Sequence, residues 1–339
     1  MDIHKYIVTL DTPQPEDLYY PNGIVTSSVG NEYNEDSFRE GWKGDVDVLR
    51  DERTGMVNAI AEAGVPLVVL PRPLKSFRDP LGMTEAIDYV RDPIAVSRQG
   101  EVLLFNMAAE RRRPEAGVHE LFANALGLKP IRSQRGFNEG GNSRVLPIPD
   151  EHWIFASTSV RSDRNGLDEQ ADFLGIPDSR RRFMDIIGGK GFHFDCIFMV
   201  AVDGNSVVHV ASYMDAFPSD SRRAIEEAVR SLDGNLYELE LTDVDNMAPN
   251  QLFTGCKIFR TGSFANYRTE STWTSLPGVE VTTFPLTQNF KTGGQVHCLT
   301  QEVYTPEPLD AALVAAALSQ HPDVFGTHPK VEIFNNHQG

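Results

Sequence analysis

At 339 residues, with 40% hydrophobic and 23% charged residues, the chain is globular in composition and long enough to bury one large core or two ordinary ones. A formal net charge of -17 and a pI near 4.9 argue against nucleic acid or an anionic membrane as partner, since both are held by basic surfaces, and are compatible with a cationic ligand. Three widely spaced cysteines build neither a disulfide framework nor a zinc knuckle, and Met1 to Leu10 carries Asp2, His4 and Lys5 where a signal peptide would be apolar, so a reducing, cytoplasmic setting is expected.

In chain order, a strand at Lys5 to Leu10 is followed by Pro13 to Asp47, a stretch rich in Asp, Glu, Tyr and Gly that reads as a substrate lid or insertion. A helix at Gly55 to Ala63 and a strand at Val65 to Leu70 come next. From Asp92 onward one unit is restated every 50 to 60 residues: strand, polar turn, strand, amphipathic helix, strand, a period typical of repeat architectures. The first copy has Ile94 to Ser97, a turn at Arg98-Gln99-Gly100, Glu101 to Phe105 and a helix Glu115 to Leu126 with Val118, Leu121, Phe122 and Leu126 on one face. The second begins near Asn142, turns at Pro149-Asp150-Glu151, runs Trp153 to Ser157 and has its helix near Leu167 to Leu174.

The third copy starts at Asp195 with Cys196 to Val202 and turns at Asp203-Gly204-Asn205, where Asp-Gly between apolar runs is a strong hairpin signal. Its helix is Ser219 to Leu232, with Ser219, Asp220 or Ser221 as N-cap, and its closing strand Leu236 to Leu241. A fourth runs from about Asn250 through Cys256 to Arg260 and closes at Val279 to Phe284. A fifth has to be assembled from both ends of the chain, Cys298 to Val303 and Leu309 to Ser319 with the early elements, which suggests a ring closed by its own termini. No window approaches eighteen uninterrupted apolar residues, so no membrane span is expected.

Four polar motifs stand where the first strand of a unit begins: Arg91-Asp92-Pro93, Glu139-Gly140-Gly141-Asn142, His193-Phe194-Asp195 and Gly293-Gly294-Gln295-Val296-His297-Cys298. Units arranged about an axis with like ends together would bring these segments to one mouth. There they supply a thiol, a base and several carboxylates. A free thiol is only a few per cent thiolate at neutral pH, so it needs a nearby base, and paired glycines allow the close backbone approach that an exposed nucleophile requires. Cys196 and Cys256 read as small core residues, and His297 as structural, pointing away from the thiol if this stretch is a strand.

Together the four motifs resemble the guanidino-group-modifying superfamily of arginine and agmatine deiminases, dimethylarginine hydrolases and amidinotransferases. The resemblance spans about Asp88 to Thr300. It implies a five-bladed, pseudo-symmetric α/β propeller as a single domain over 1–339. It implies Cys298 as nucleophile, His193 as general acid and base, and Glu139, Asp92 and Asp195 as carboxylates holding the guanidinium. Arg161 and, in Arg111-Arg112-Arg113, Arg112 match arginines that bind a substrate carboxylate. Asn142 stands where the deiminase pattern EGGD has an acid, and Asp92 where arginine dihydrolases carry asparagine, which favours a single hydrolysis. The chemistry fits: a guanidinium is a planar cation matched by carboxylate forks, and its carbon is a poor electrophile that needs a strong, well-placed nucleophile.

The expected activity is therefore cofactor- and metal-independent hydrolysis of arginine or a small carboxylate-bearing guanidino compound through a covalent thiouronium, with homo-oligomerisation left open. An amidinotransferase is the nearest alternative. A papain-like peptidase has the opposite order of cysteine and histidine, and a non-catalytic guanidino binder would have little use for an intact Cys298, His193, Glu139 and Asp92.

Overall fold

Ile94–Val96 and Glu101–Leu104 pair antiparallel across the Arg98-Gln99-Gly100 turn, and the chain returns through the helix Glu115–Ala125 to lay Lys129–Arg132 parallel to the second strand. In a computed structural model describing residues 3–12, 44–81, 83, 85–146, 152–187, 192–291 and 293–335, this pattern occurs four times in succession. The second unit pairs Ser143–Leu146 with Trp153–Thr158 and, after the helix Arg164–Phe173, adds Arg181–Asp185. In the third, Phe198–Val202, Val208–Ser212, the helix Ser219–Ser231 and Asn235–Glu238 repeat it. The fourth uses Leu252–Thr254, Lys257–Arg260, the helix Tyr267–Thr274 and Glu280–Thr283.

The fifth sheet joins the two ends of the chain. Gln301–Thr305 lies antiparallel to His4–Leu10, with Thr305 opposite His4, and the helix Val46–Glu62 carries the chain to Leu67–Leu70, parallel to His4–Leu10. Glu332–Phe334 adds a fourth strand at its edge. The crossover helix of this unit starts nine residues earlier than the expected Gly55, because Asp45 caps it by accepting from the amides of Asp47 and Val48. The late helix Ala311–Leu318 is not part of the sheet's crossover: Val314 and Leu318 pack on Val118 and Phe122 of the first unit.

The inner strands are buried on both faces, as in Leu67–Leu70 and most of His4–Leu10, whereas the closing strands of the four units, such as Lys129–Arg132 and Glu280–Thr283, are exposed at their ends. Tyr6, Val8, Leu10, Val68 and Leu70 join the first unit's Val96, Val102 and Leu104 in one cluster, while the alternate residues Ile7, Leu67 and Val69 join Leu252 and Phe259 of the fourth. The same sharing links second to third through Phe155 and Phe198, third to fourth through Met199, Ala211, Ile258 and Trp273, and first to second through Leu103, Phe105 and Phe173. The first strand of every sheet also lines one cavity of about 380 Å3, to which they contribute Ile94, Ser143, Val200, Phe253 and Gln301.

Other expectations change in detail. The helix Ser219–Ser231 has Pro218 at its N-cap and no side-chain cap, since Ser219 is already its first residue. Cys196 is buried in a short 3-10 turn, not on a strand, whereas Cys256 is exposed in the tight turn after Gly255 that joins the fourth hairpin. Residues 13–43 of the expected lid and the turn at 149–151 lie outside the described residues. Among the described residues no helix is long and apolar enough to cross a membrane.

Candidate active site

The four motifs meet as the register of the units suggested. Asp92 precedes the first strand of unit one, Glu139 and Asn142 that of unit two, and the 3-10 turn before that of unit three has His193 at its N-cap and Asp195 within it. Cys298 occupies a turn over 296–299, and its strand begins only at Gln301, a correction to the expected strand start at Cys298. Bonds from Leu299 N to Gln295 O and from Thr300 N to His297 O hold that turn.

His193 Nε2 lies 2.8 Å from Glu139 Oε2, and its Nδ1 3.8 Å from Asp92 Oδ1. Burial works against charge on this imidazole, but Asp92, and then the hydrogen bond and charge of Glu139, outweigh it and raise its pKa above the ordinary histidine value. Glu139 is wholly buried; burial alone would raise its pKa, yet Arg161, Arg112 and His193 bring it far below the usual carboxylate range. Arg161 Nη1 donates to both oxygens of Glu139 at 3.0 and 3.1 Å. Arg112 is gripped through Nε and Nη2 by Glu115, both at 2.9 Å, while its Nη1 donates to Asp92 at 2.8 Å and Glu139 at 3.0 Å. The two arginines expected to meet a substrate carboxylate thus rest on the acids of the site. Asn142 is buried with its amide on Ser162 Oγ at 2.8 Å and its carbonyl oxygen taking Ser159 Oγ at 3.3 Å.

The thiol has its own neighbours. Cys298 Sγ donates to Asp195 Oδ2 at 3.4 Å and accepts from Asn250 Nδ2 at 3.1 Å. Burial, then the charges of Asp195 and Asp92, push its pKa well above that of a free thiol. Asp195 is itself raised, by burial first. His297 does not point away from the thiol, because the stretch is a turn: its Nδ1 sits 2.7 Å from the same Asp195 Oδ2. Burial, with Arg144 and Arg91 next, pushes the pKa of His297 well below the ordinary histidine value.

Two glycine positions are set by close approach. A Cβ on Gly141 would lie 2.6 Å from His193 Nδ1 and 3.0 Å from Asp92 Oδ1, and one on Gly294 2.4 Å from the Tyr89 ring. Only bare backbone fits at either place.

Asn250 was missed as a site residue. Its Oδ1 accepts from Gln295 N at 3.2 Å and Cys298 N at 3.4 Å, so one amide side chain shapes the nucleophile's turn and touches its sulfur. Arg144 was missed too: fully buried, it reaches from the first strand of unit two to main-chain carbonyls of Asp195, Phe198, Pro249 and Gln251. Asp92, Glu139 and His193 offer ligand atoms within 4.8 Å of one another, a spacing that suits a metal ion. The guanidinium groups of Arg112 and Arg161 already compensate those carboxylates.

The sequence model of the family described as "N,N dimethylarginine dimethylhydrolase, eukaryotic" matches residues 26–305. No curated protein matches the chain. Among solved structures, its fold is similar to the N-terminal domain of ArgZ, an arginine dihydrolase from the ornithine-ammonia cycle in Cyanobacteria, bound to product (TM-score 0.68, 18% identity, 88% of this chain and 97% of that one). It is similar to unliganded AgrE (0.69, 18%, 88% of this chain and 39% of that one). It also resembles a cysteine-to-serine mutant of DDAH from Pseudomonas aeruginosa complexed with citrulline (0.59, 16%, 88% and 98%). At such identities the likeness concerns the fold.

Proposed function

Since the chain belongs to the eukaryotic N,N-dimethylarginine dimethylhydrolase family, we propose that it hydrolyses a guanidino C–N bond of a small arginine-like molecule, a methylated arginine before all others, with Cys298 as nucleophile. The observation that carries this reading is the meeting of a buried thiol with three buried carboxylates, Asp92, Glu139 and Asp195, and a histidine poised to hold a proton. Two of the protein's own guanidinium groups already dock on these acids, so the pocket's chemistry suits that cation.

In the proposed reaction the substrate cation offsets the burial and negative charge that raise the pKa of Cys298, the thiol gives up its proton to solvent as the substrate binds, and the thiolate adds to the guanidinium carbon. The C–N bond to the leaving amine breaks as His193 gives that nitrogen its proton, leaving a thiouronium on sulfur. Water then adds, losing its proton to His193; the C–S bond breaks, releasing a ureido product and the thiolate. Asp92, Glu139 and Asp195 hold the cation through both steps. In this reading Arg161 meets the substrate's α-carboxylate beside its bonds to Glu139, Arg112 braces Asp92 and Glu139 from behind, and Asn142 supports the same wall through its serines. A closed five-bladed ring as the scaffold is favoured by the apolar clusters linking successive units and by the cavity that all five sheets share.

The test is incubation with N,N-dimethylarginine, monomethylarginine, arginine and agmatine, following citrulline, methylamines, ammonia and ornithine. Citrulline with dimethylamine is expected. Ornithine formed only when glycine or lysine is added would mean amidino transfer, and no product over hours would mean a binding protein. Arg161→Ala, which also loosens Glu139, should raise KM for methylated arginines more than for agmatine, which lacks the carboxylate.

A further inference from the structure

The cavity shared by the five first strands lies behind the catalytic layer. Arg91, Gly140 and His297 line it, each the immediate neighbour of Asp92, Glu139 or Cys298, whereas none of those three nor His193 does. At its other end stand the exposed residues Arg98 and Gln99 of the first hairpin turn. This pocket therefore opens away from the thiol.

Its charge is the reverse of the chain's. In a protein of net charge -17, four permanent cations, Lys5, Arg91, Arg98 and Arg144, face it against one carboxylate, Glu302. Glu302 is bound to Arg91 at 2.9 Å. Among the described residues, Lys5, Arg98 and Arg144 enter no ion pair. Arg144 is 5% exposed and donates only to main-chain carbonyls, and burial lowers its pKa to about 10. Asp195 and Glu302 act on this buried guanidinium only from beyond ion-pair distance and do not offset its burial, so an anion beside it would recover part of that cost. The remaining wall is apolar, with Ile94, Val96, Val200 and Phe253, and the volume of about 380 Å3 falls in the range that takes a small organic molecule.

We propose that this cavity is a second ligand site, separate from the catalytic one, for a small organic di- or tricarboxylate whose charges meet Lys5, Arg98 and Arg144 and whose carbon skeleton lies on the apolar wall. The planar fork of Arg98 matches a carboxylate, Arg144, whose donors are engaged by main-chain carbonyls, contributes its charge from the wall, and the apolar side gives an all-polar inorganic anion nothing. The site stands whatever guanidino compound is turned over.

Calorimetric titration of the full chain with citrate at neutral pH tests it, with inorganic phosphate run alongside. Citrate is expected to bind, more tightly than phosphate. Binding should be unchanged in Cys298→Ser and in the presence of saturating arginine. It should weaken at least tenfold in Lys5→Ala/Arg98→Ala, with turnover retained. Arg98→Glu, a single change at the exposed mouth, repeats the test in an independent background. Absence of citrate binding, phosphate binding as tightly as citrate, undiminished affinity in either variant, or displacement by arginine would each overturn the proposal.

Discussion

Asn250 gives the sharpest single test of the site, because its amide makes two separable contributions. Its Nδ2 donates to Cys298 Sγ at 3.1 Å, and its Oδ1 accepts the amides of Gln295 and Cys298. The donor lowers the thiol pKa against burial, Asp195 and Asp92, which raise it. A hydrogen bond to a charged group contributes about 1.5–3 kcal/mol, or about one to two pKa units at 1.36 kcal/mol each. Removing it therefore reduces the thiolate fraction about 10- to 100-fold, while the greater basicity of the remaining thiolate returns about 3- to 10-fold in nucleophilicity. Iodoacetamide alkylation of Cys298 near neutral pH should slow about 3- to 10-fold in Asn250→Ala. Asn250→Asp keeps an acceptor for both amides but replaces the donor by a charge, so its thermal stability should stay near the parent's while alkylation slows more than in the alanine variant. An unchanged pH dependence of alkylation in both variants would refute this account of the thiol.

Asp195→Asn removes a negative charge 3.4 Å from the sulfur, so alkylation at pH 8 should accelerate while turnover of guanidino substrates falls, a split that steady-state and alkylation kinetics read together. Gly294→Ala drives a Cβ to within 2.4 Å of the Tyr89 ring. The nucleophile's turn must move, and turnover should fall at least 100-fold, with about 1–3 kcal/mol of stability lost in urea melts. Burial, with Arg112 second, lowers His119 to about 3, and among the described residues its Nε2 has no hydrogen-bond partner. Its folded pKa lies below the unfolded value of about 6.5, so its contribution is full above that pH and is lost as pH falls from there toward 3. His119→Leu should narrow the stability gap between pH 7.5 and 4.5 by about 2–3 kcal/mol, measured by urea unfolding at both.

The repeat was legible because each unit is local: a hairpin, a helix and a parallel strand follow one another within about fifty residues, and hydrophobic period and turn chemistry report on all three. The motif residues were legible for the same reason, as short runs before those strands. Asn250 was not, since an isolated asparagine carries no pattern and its partners are Gln295 and Cys298, more than forty residues on. Arg144 eluded reading likewise, its acceptors being main-chain carbonyls of two other units. Cys256 was misplaced because an apolar flank was read as core, whereas Gly255, at φ 59°, makes its neighbourhood a two-residue turn. Resting arginines on Glu139 could not be foreseen either, since which charge an arginine meets depends on packing between units.

The pairing of Gln301–Thr305 with His4–Leu10 also bears on when the site comes into being. Cys298 lies three residues before Gln301, where that strand begins, and its partners come from units three and four, so the thiol's turn is anchored beside a contact spanning nearly the whole chain. Such long-range pairing is the slow part of folding. A growing chain would carry four sheets, each able to form from its own sequence, before it held a nucleophile among its acids, and the chemistry would switch on as Gln301–Thr305 joins His4–Leu10.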